Sequence, residues 1–359
     1  MKNVLMFCQF ITILALCKFV RMKVVLNIIL ISLLLGCSTE KKLSGPLITL
    51  TNGTIEIGLI PAVGGVLVRA SLAGKTNILN SDSTLWNESP DKRPSLDPKA
   101  PFKTYNGHIT WLSPQSEWWI RQDSFPDLKE SRSLWPPDPI LTLAPYRIIQ
   151  QTATEITMES PESPFSKVQF TKIYSLDRNT VTLTTVAKNI SEDTISWGLW
   201  HNTRMNGWDA VFVQADSAAL RKTDHYNRDG IQKPQLQFRD GFYSYESVQP
   251  EKGSQVYKSK SFLNVKTPLI AGYHKNQWLI IRSEAIEPQL IHPNEARVEI
   301  YIENSANPAN DLQELELQFA YEKIAPGATI QAIETWEIWP GTGLQNKSEL
   351  LEEIKLKFK

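Results

Sequence analysis

The sequence predicts an all-β protein, a large antiparallel sandwich or barrel. Short alternating or β-branched stretches recur along most of the chain, turn dipeptides separate them, and no long amphipathic helical pattern intervenes. The first strands are Leu47–Leu50, Ile55–Ile60 and Val66–Ala70. Asn52-Gly53 suits a type I′ hairpin turn, and Pro61 with Gly64-Gly65 marks the next reversal. Further strands are expected at Glu155–Met158, Lys167–Tyr174, Val181–Val186, Ile195–Leu199, Val211–Gln214, Trp278–Arg282, Arg297–Ile302, Leu312–Phe319 and Ile330–Ile338. The one helical candidate is short, near Lys347–Phe358.

Between Asn80 and Pro145 the texture changes to dense Pro and Trp, including Trp111, Trp118, Trp119 and Trp135. Disordered segments are poor in aromatics, so this stretch reads as ordered loops over one mouth of the sandwich.

The N-terminus is of a different kind. Two apolar runs, Val4–Leu16 and Val24–Leu35, are each shorter than the about 18–20 residues that span a bilayer and match a signal-peptide core. The second ends in Leu34-Leu35-Gly36-Cys37, followed by polar residues, and resembles the lipobox of bacterial lipoproteins. The expectation is a signal peptide over residues 1–37, with 22–37 as its functional part if translation starts at Met22 rather than Met1. Cys37 is then lipidated, 38–46 form a linker, 47–345 one domain and 346–359 a tail. The resemblance implies a cell-envelope location, at the outer membrane rather than the inner, with the membrane as a partner through the lipid.

The chain has 359 residues, 42% hydrophobic and 21% charged, with formal net charge zero. Its first 37 residues hold Lys2, Lys18, Arg21, Lys23 and no acid, so the remainder is acidic by about four charges. That balance argues against nucleic-acid binding. Cys8 and Cys17 precede Cys37, leaving no pair for a disulfide after processing. The five histidines lack paired ligand spacing, so no metal is expected, and no motif calls for a cofactor.

Four segments together resemble the galactose mutarotase-like (aldose 1-epimerase-like) superfamily. They are Leu50–Leu79 with its Pro and Gly-Gly turn, Tyr105–Trp119 with Trp135–Asp138, Lys172–His201 with an Asn-x-Ser turn, and Leu312–Trp336. The resemblance implies a many-stranded antiparallel supersandwich and a sugar-binding cleft. Aldose 1-epimerases open a sugar ring with a carboxylate base and an imidazolium acid. Glu316, in Glu316-Leu317-Gln318, matches the family's base and His201 its acid; His108 falls near a sugar-binding His, and Arg69 near a substrate-contacting Arg.

The residues themselves add conditions. Glu314, Glu316 and Gln318 share one strand face, which suits a solvated surface or a sugar cleft equally. Alternation puts Trp197, Leu199 and His201 on one face and Trp200, Asn202 and Arg204 on the other, leaving open which set lines the cleft. His108 reads as a loop residue. Trp118, Trp119, Trp135, Arg204, Glu299 and Glu314 complete the carbohydrate candidates, because aromatic faces cover sugar C–H surfaces. The functional expectation is a carbohydrate-binding envelope lipoprotein. Epimerase activity stays open, and the alternative is a non-catalytic scaffold or accessory subunit. The sequence does not decide the oligomeric state.

Overall fold

A computed structural model of the protein describes residues 47–89, 92–207, 209–226, 234–245, 257–304 and 311–357. The signal peptide, Cys37 and the linker 38–46 lie outside the described residues. The strands are β1 (Ile48–Thr51), β2 (Ile55–Ile60), β3 (Val66–Leu72), β4 (His108–Ser113), β5 (Arg147–Gln151), β6 (Glu155–Glu159), β7 (Val168–Asp177), β8 (Thr180–Asn189), β9 (Ile195–Asn206) and β10 (Ala210–Gln214). They continue as β11 (Leu220–His225), β12 (Leu236–Arg239), β13 (Phe242–Tyr245), β14 (Tyr257–Leu263), β15 (Leu269–His274), β16 (Gln277–Ser283), β17 (Val298–Asn304), β18 (Leu312–Gln318), β19 (Glu322–Ile324) and β20 (Thr329–Pro340).

Two ten-stranded antiparallel sheets result. The first runs β1-β2-β3-β4-β9-β18-β17-β14-β11, with β19 added to β9; the second runs β12-β13-β10-β15-β16-β20-β8-β7-β6-β5. Alternation explains the second sheet: Val168, Phe170, Tyr174, Val181, Leu183, Ala187, Ile330, Ala332, Trp336 and Ile338 turn inward from β7, β8 and β20 and are buried. Lys172, Thr185 and Glu334 hold inward positions on the same three strands, so a polar stripe runs through the apolar layer. On the first sheet β4 is buried along its whole length and β9 on both faces, as its central position requires.

The helix α1 (Pro126–Glu130) and the single turn α2 (Pro139–Thr142) lie in the Pro- and Trp-rich segment, and α3 (Lys347–Lys357) follows β20. Leu350, Leu351 and Ile354 of α3 join Phe212, Phe242, Leu269, Ala271, Tyr273, Trp278 and Ile280 in a small apolar cluster on the second sheet.

Two local expectations change. The 80–145 segment is not only loop: its middle forms β4, which inserts between β3 and β9, so His108 opens a central strand. At Asn52-Gly53 only Gly53 has positive φ, whereas a type I′ turn needs two consecutive such residues. Asn52 instead accepts from the amides of Thr54 and Ile55 through its side chain. Gly64 and Gly65 both adopt positive φ, and a Cβ on Gly64 would stand 2.0 Å from the Thr142 carbonyl oxygen. Glycine is therefore required where β2–β3 meets α2.

Candidate functional site on the outer face of the first sheet

Residues directly opposite in an antiparallel ladder project to the same face. Glu316 lies opposite Asn202, Glu314 opposite Arg204 and Gln318 opposite Trp200. On the other side of β18, Glu299 lies opposite Glu316, and Tyr301 opposite both Glu314 and Lys260. Trp111 of β4 lies opposite Trp200. One face of β4, β9, β18, β17 and β14 thus gathers acids, amides, two cations and indoles.

The opposite face looks into the sandwich. His201 Nδ1 lies 2.9 Å from Glu334 Oε2, and its Nε2 lies 3.2 Å from Thr185 Oγ1, both on the second sheet. His108 Nδ1 meets Thr203 Oγ1 at 2.9 Å, and the two imidazoles stand edge to face at 5.1 Å. Trp336 donates its indole N–H to Glu334. Burial, with help from His201 and Lys172, drives the His108 pKa well below the usual imidazole range, so the ring is neutral. The structure therefore separates Glu316 from both His201 and His108 by the thickness of the sheet. The expected imidazole beside Glu316 is replaced by Asn202, because a one-residue offset on a strand reverses the face.

On the outer face the charges are out of water and paired. Lys260 Nζ lies 2.7 Å from Glu299 and 2.8 Å from Glu316. Burial alone would depress this lysine, but Glu299 and Glu316 hold it well above its ordinary value. Glu316, fully buried, is pushed well up by burial and by Glu299 and Glu314, against the pull of Lys260. Glu314 is half-buried, and Arg204 at 2.7 Å and the Asn202 amide at 3.0 Å outweigh the effect of burial and bring it below its usual range. Glu295 is pushed up to about 8 by burial and by Glu299. Neighbouring carboxyl groups thus differ in proton affinity, the electrostatic condition for one to donate while another accepts.

Indoles floor and wall this group. Lys260 sits 4.6 Å from the Trp200 ring centre and Arg204 5.7 Å from that of Trp111, cation–π distances. Trp111 and Trp200 pack at 4.7 Å, Trp118 stacks on Trp200 at 6.1 Å, and Trp135 edges onto Trp111 at 6.2 Å. Among the described residues, Trp111 Nε1, Trp200 Nε1, Asn202 Oδ1, Glu316 Oε1 and Gln318 Oε1 are buried without a hydrogen-bond partner. Five such atoms on one face is a concentration that a folded interior does not normally tolerate.

The sequence candidates divide accordingly. Glu299, Glu314, Glu316, Arg204, Trp118 and Trp135 come together on this face. Trp119 does not: it is buried among Phe125 and Phe165 and donates to the Pro136 carbonyl. Arg69 is held by Glu56 and by the Lys75 carbonyl at the β2–β3 pair, and His108 and His201 belong to the interior stripe. Sequence reasoning missed Lys260 and Glu295 and left Asn202, Trp111, Trp200 and Gln318 without a role. Lys260 was findable in principle, since Lys258, Lys260 and Phe262 alternate with Ser259 and Ser261 along β14.

The two large antiparallel sheets form a sandwich of the galactose mutarotase-like fold, and solved structures of that fold match. A galactose mutarotase-like protein from Clostridium acetobutylicum is 12% identical, with 83% of this chain and 96% of that one covered and a TM-score of 0.51. One from Lactobacillus casei is 10% identical, with 82% and 100% covered and a TM-score of 0.50. A TPR-domain containing protein from Parabacteroides distasonis is 13% identical, with 84% of this chain and 48% of that one covered, at 0.50. Residues 46–339 match the family described as a domain of unknown function, DUF4380, and the chain belongs to that family. No curated protein matches the chain.

Proposed function

We propose that this protein binds carbohydrate on the outer face of the first sheet, and that lipid on Cys37 holds it to the cell envelope, at the outer membrane. The observation that carries the binding reading is the row Glu316, Asn202 and Lys260 beside Trp111, Trp118 and Trp200, with buried donors and acceptors left unpartnered. Sugars present hydroxyl groups to such atoms and C–H faces to indoles. Binding is favoured over ring-opening catalysis because no imidazole stands beside Glu316: Asn202 takes that place, and the adjacent Lys260 has its proton held tightly by Glu299 and Glu316. The lipoprotein reading rests on Leu34–Cys37 and the apolar run before it.

Tryptophan fluorescence of the full chain, titrated with a panel of monosaccharides and oligosaccharides, tests binding; polarimetry on each hit tests epimerisation. A spectral shift lost in Glu316→Gln, without faster mutarotation, is the expected result. Faster mutarotation would make the protein an epimerase, and no shift across the panel would favour the scaffold reading. Incorporation of a fatty-acid probe should disappear in Cys37→Ser.

A further inference from the structure

A cavity of about 460 Å³ opens at the β15–β16 hairpin, lined by Asp209, Tyr273, His274, Lys275, Asn276 and Gln345. It belongs to the second sheet, apart from the face carrying Glu316. Inside it Asp209 Oδ1 lies 2.7 Å from His274 Nδ1, and the Asn206 amide donates to Asp209 Oδ2 at 3.0 Å, fixing the carboxylate. With its Nδ1–H directed at Asp209, the imidazole presents Nε2 as an acceptor, and Nε2 has no hydrogen-bond partner among the described residues.

The hairpin supplies a second, independent observation. His274 pairs with Gln277, so Lys275 and Asn276 form a two-residue loop, and both have positive φ, 43° and 64°. Such a loop favours glycine and asparagine. Asn276 tolerates the left-handed region and is fastened there, accepting from Tyr273 Oη at 3.0 Å. Lysine adopts it only at a cost in strain, as Lys167 and Arg178 do elsewhere in the chain. Lys275 is exposed, and its ammonium forms no ion pair among the described residues.

We infer that this cavity is a second ligand site for a small hydroxylated anion, a sugar carboxylate or sugar phosphate. A ligand hydroxyl donates to His274 Nε2 and the anion pairs with Lys275. The volume fits a single sugar ring.

The full chain in detergent, with histidine labelled at its ring nitrogens, is titrated separately with glucuronate, glucose 6-phosphate, glucose and acetate. His274→Gln assigns the resonance. Either sugar anion should move the His274 Nε2 signal, the tighter one identifying the anion, while glucose and acetate bind at least about tenfold more weakly, the worth of one charge-assisted bond. Lys275→Gly should raise the melting temperature by relieving the turn, yet weaken the anion about tenfold. Absence of any shift with both anions, equal binding of glucose, or unchanged affinity in Lys275→Gly would overturn the inference.

Discussion

Glu316 stands directly across the ladder from Asn202, while His201, one residue earlier on the same strand, points through the sheet to Glu334. The carboxyl group and the imidazole therefore serve different halves of the molecule. Glu316→Gln should abolish the sugar-induced fluorescence shift and leave the fold intact. His201→Gln should leave the shift in place and cost about 1–3 kcal/mol, the penalty for disturbing a buried hydrogen-bonded group. Titration and urea denaturation of both variants check this, and loss of binding in the stable His201 variant would refute it.

Lys260 is the electrostatic keystone of the outer face. Lys260→Met leaves Glu299 and Glu316 buried beside each other without a cation and should cost roughly 3–5 kcal/mol. Adding Glu316→Gln to that background should restore part of the loss, because one of the two carboxyl groups can no longer ionise. Additive effects in the double variant would contradict the coupling.

Lys172 carries a different signature. It is fully buried on β7, donates to the Gly64 carbonyl oxygen at 2.8 Å, and burial depresses its pKa to about 7. The unfolded chain holds this proton up to an ordinary lysine pKa near 10.4. The unfolded state therefore binds more protons above pH 7, and stability contributed by this group rises with pH through that window. Between pH 7 and 9 the gain is on the order of 2 kcal/mol. Lys172→Met should be more stable than the wild type at pH 7 and should flatten the slope, as read from denaturation midpoints at a series of pH values.

Gly64→Ala tests the seam between the β2–β3 turn and α2. The added Cβ meets the Thr142 carbonyl at 2.0 Å, and alanine is strained at φ +59°. The two effects should together cost about 2 kcal/mol or more. A neutral outcome in thermal unfolding would mean that α2 can retreat from the sheet.

Much of the second sheet was legible because β7, β8 and β20 each bury one face, so their residues alternate cleanly. The central strands of the first sheet are buried on both faces and carry no such rhythm. That is why β4 was hidden among prolines and tryptophans and why β14 escaped; β15 of the second sheet, buried along its whole length, escaped in the same way. The Glu314–Gln318 face was readable from spacing. Its partners were not, because register decides whether His201 or Asn202 meets Glu316, and register is a property of the paired strands.

The ladder that builds the outer face joins segments far apart in the chain: His108 reaches Thr203 across 95 residues, and Asn202 reaches Glu314 across 112. Strands β5 to β8, by contrast, pair with their immediate neighbours through short turns. Loop closure disfavours the distant pairings until other contacts compensate, so the local meander has the kinetic advantage and the β4–β9–β18 seam closes late. Recovery of any sugar-dependent fluorescence during refolding would therefore lag behind recovery of β-sheet circular dichroism, making the Glu316 face a clock for the last step of assembly.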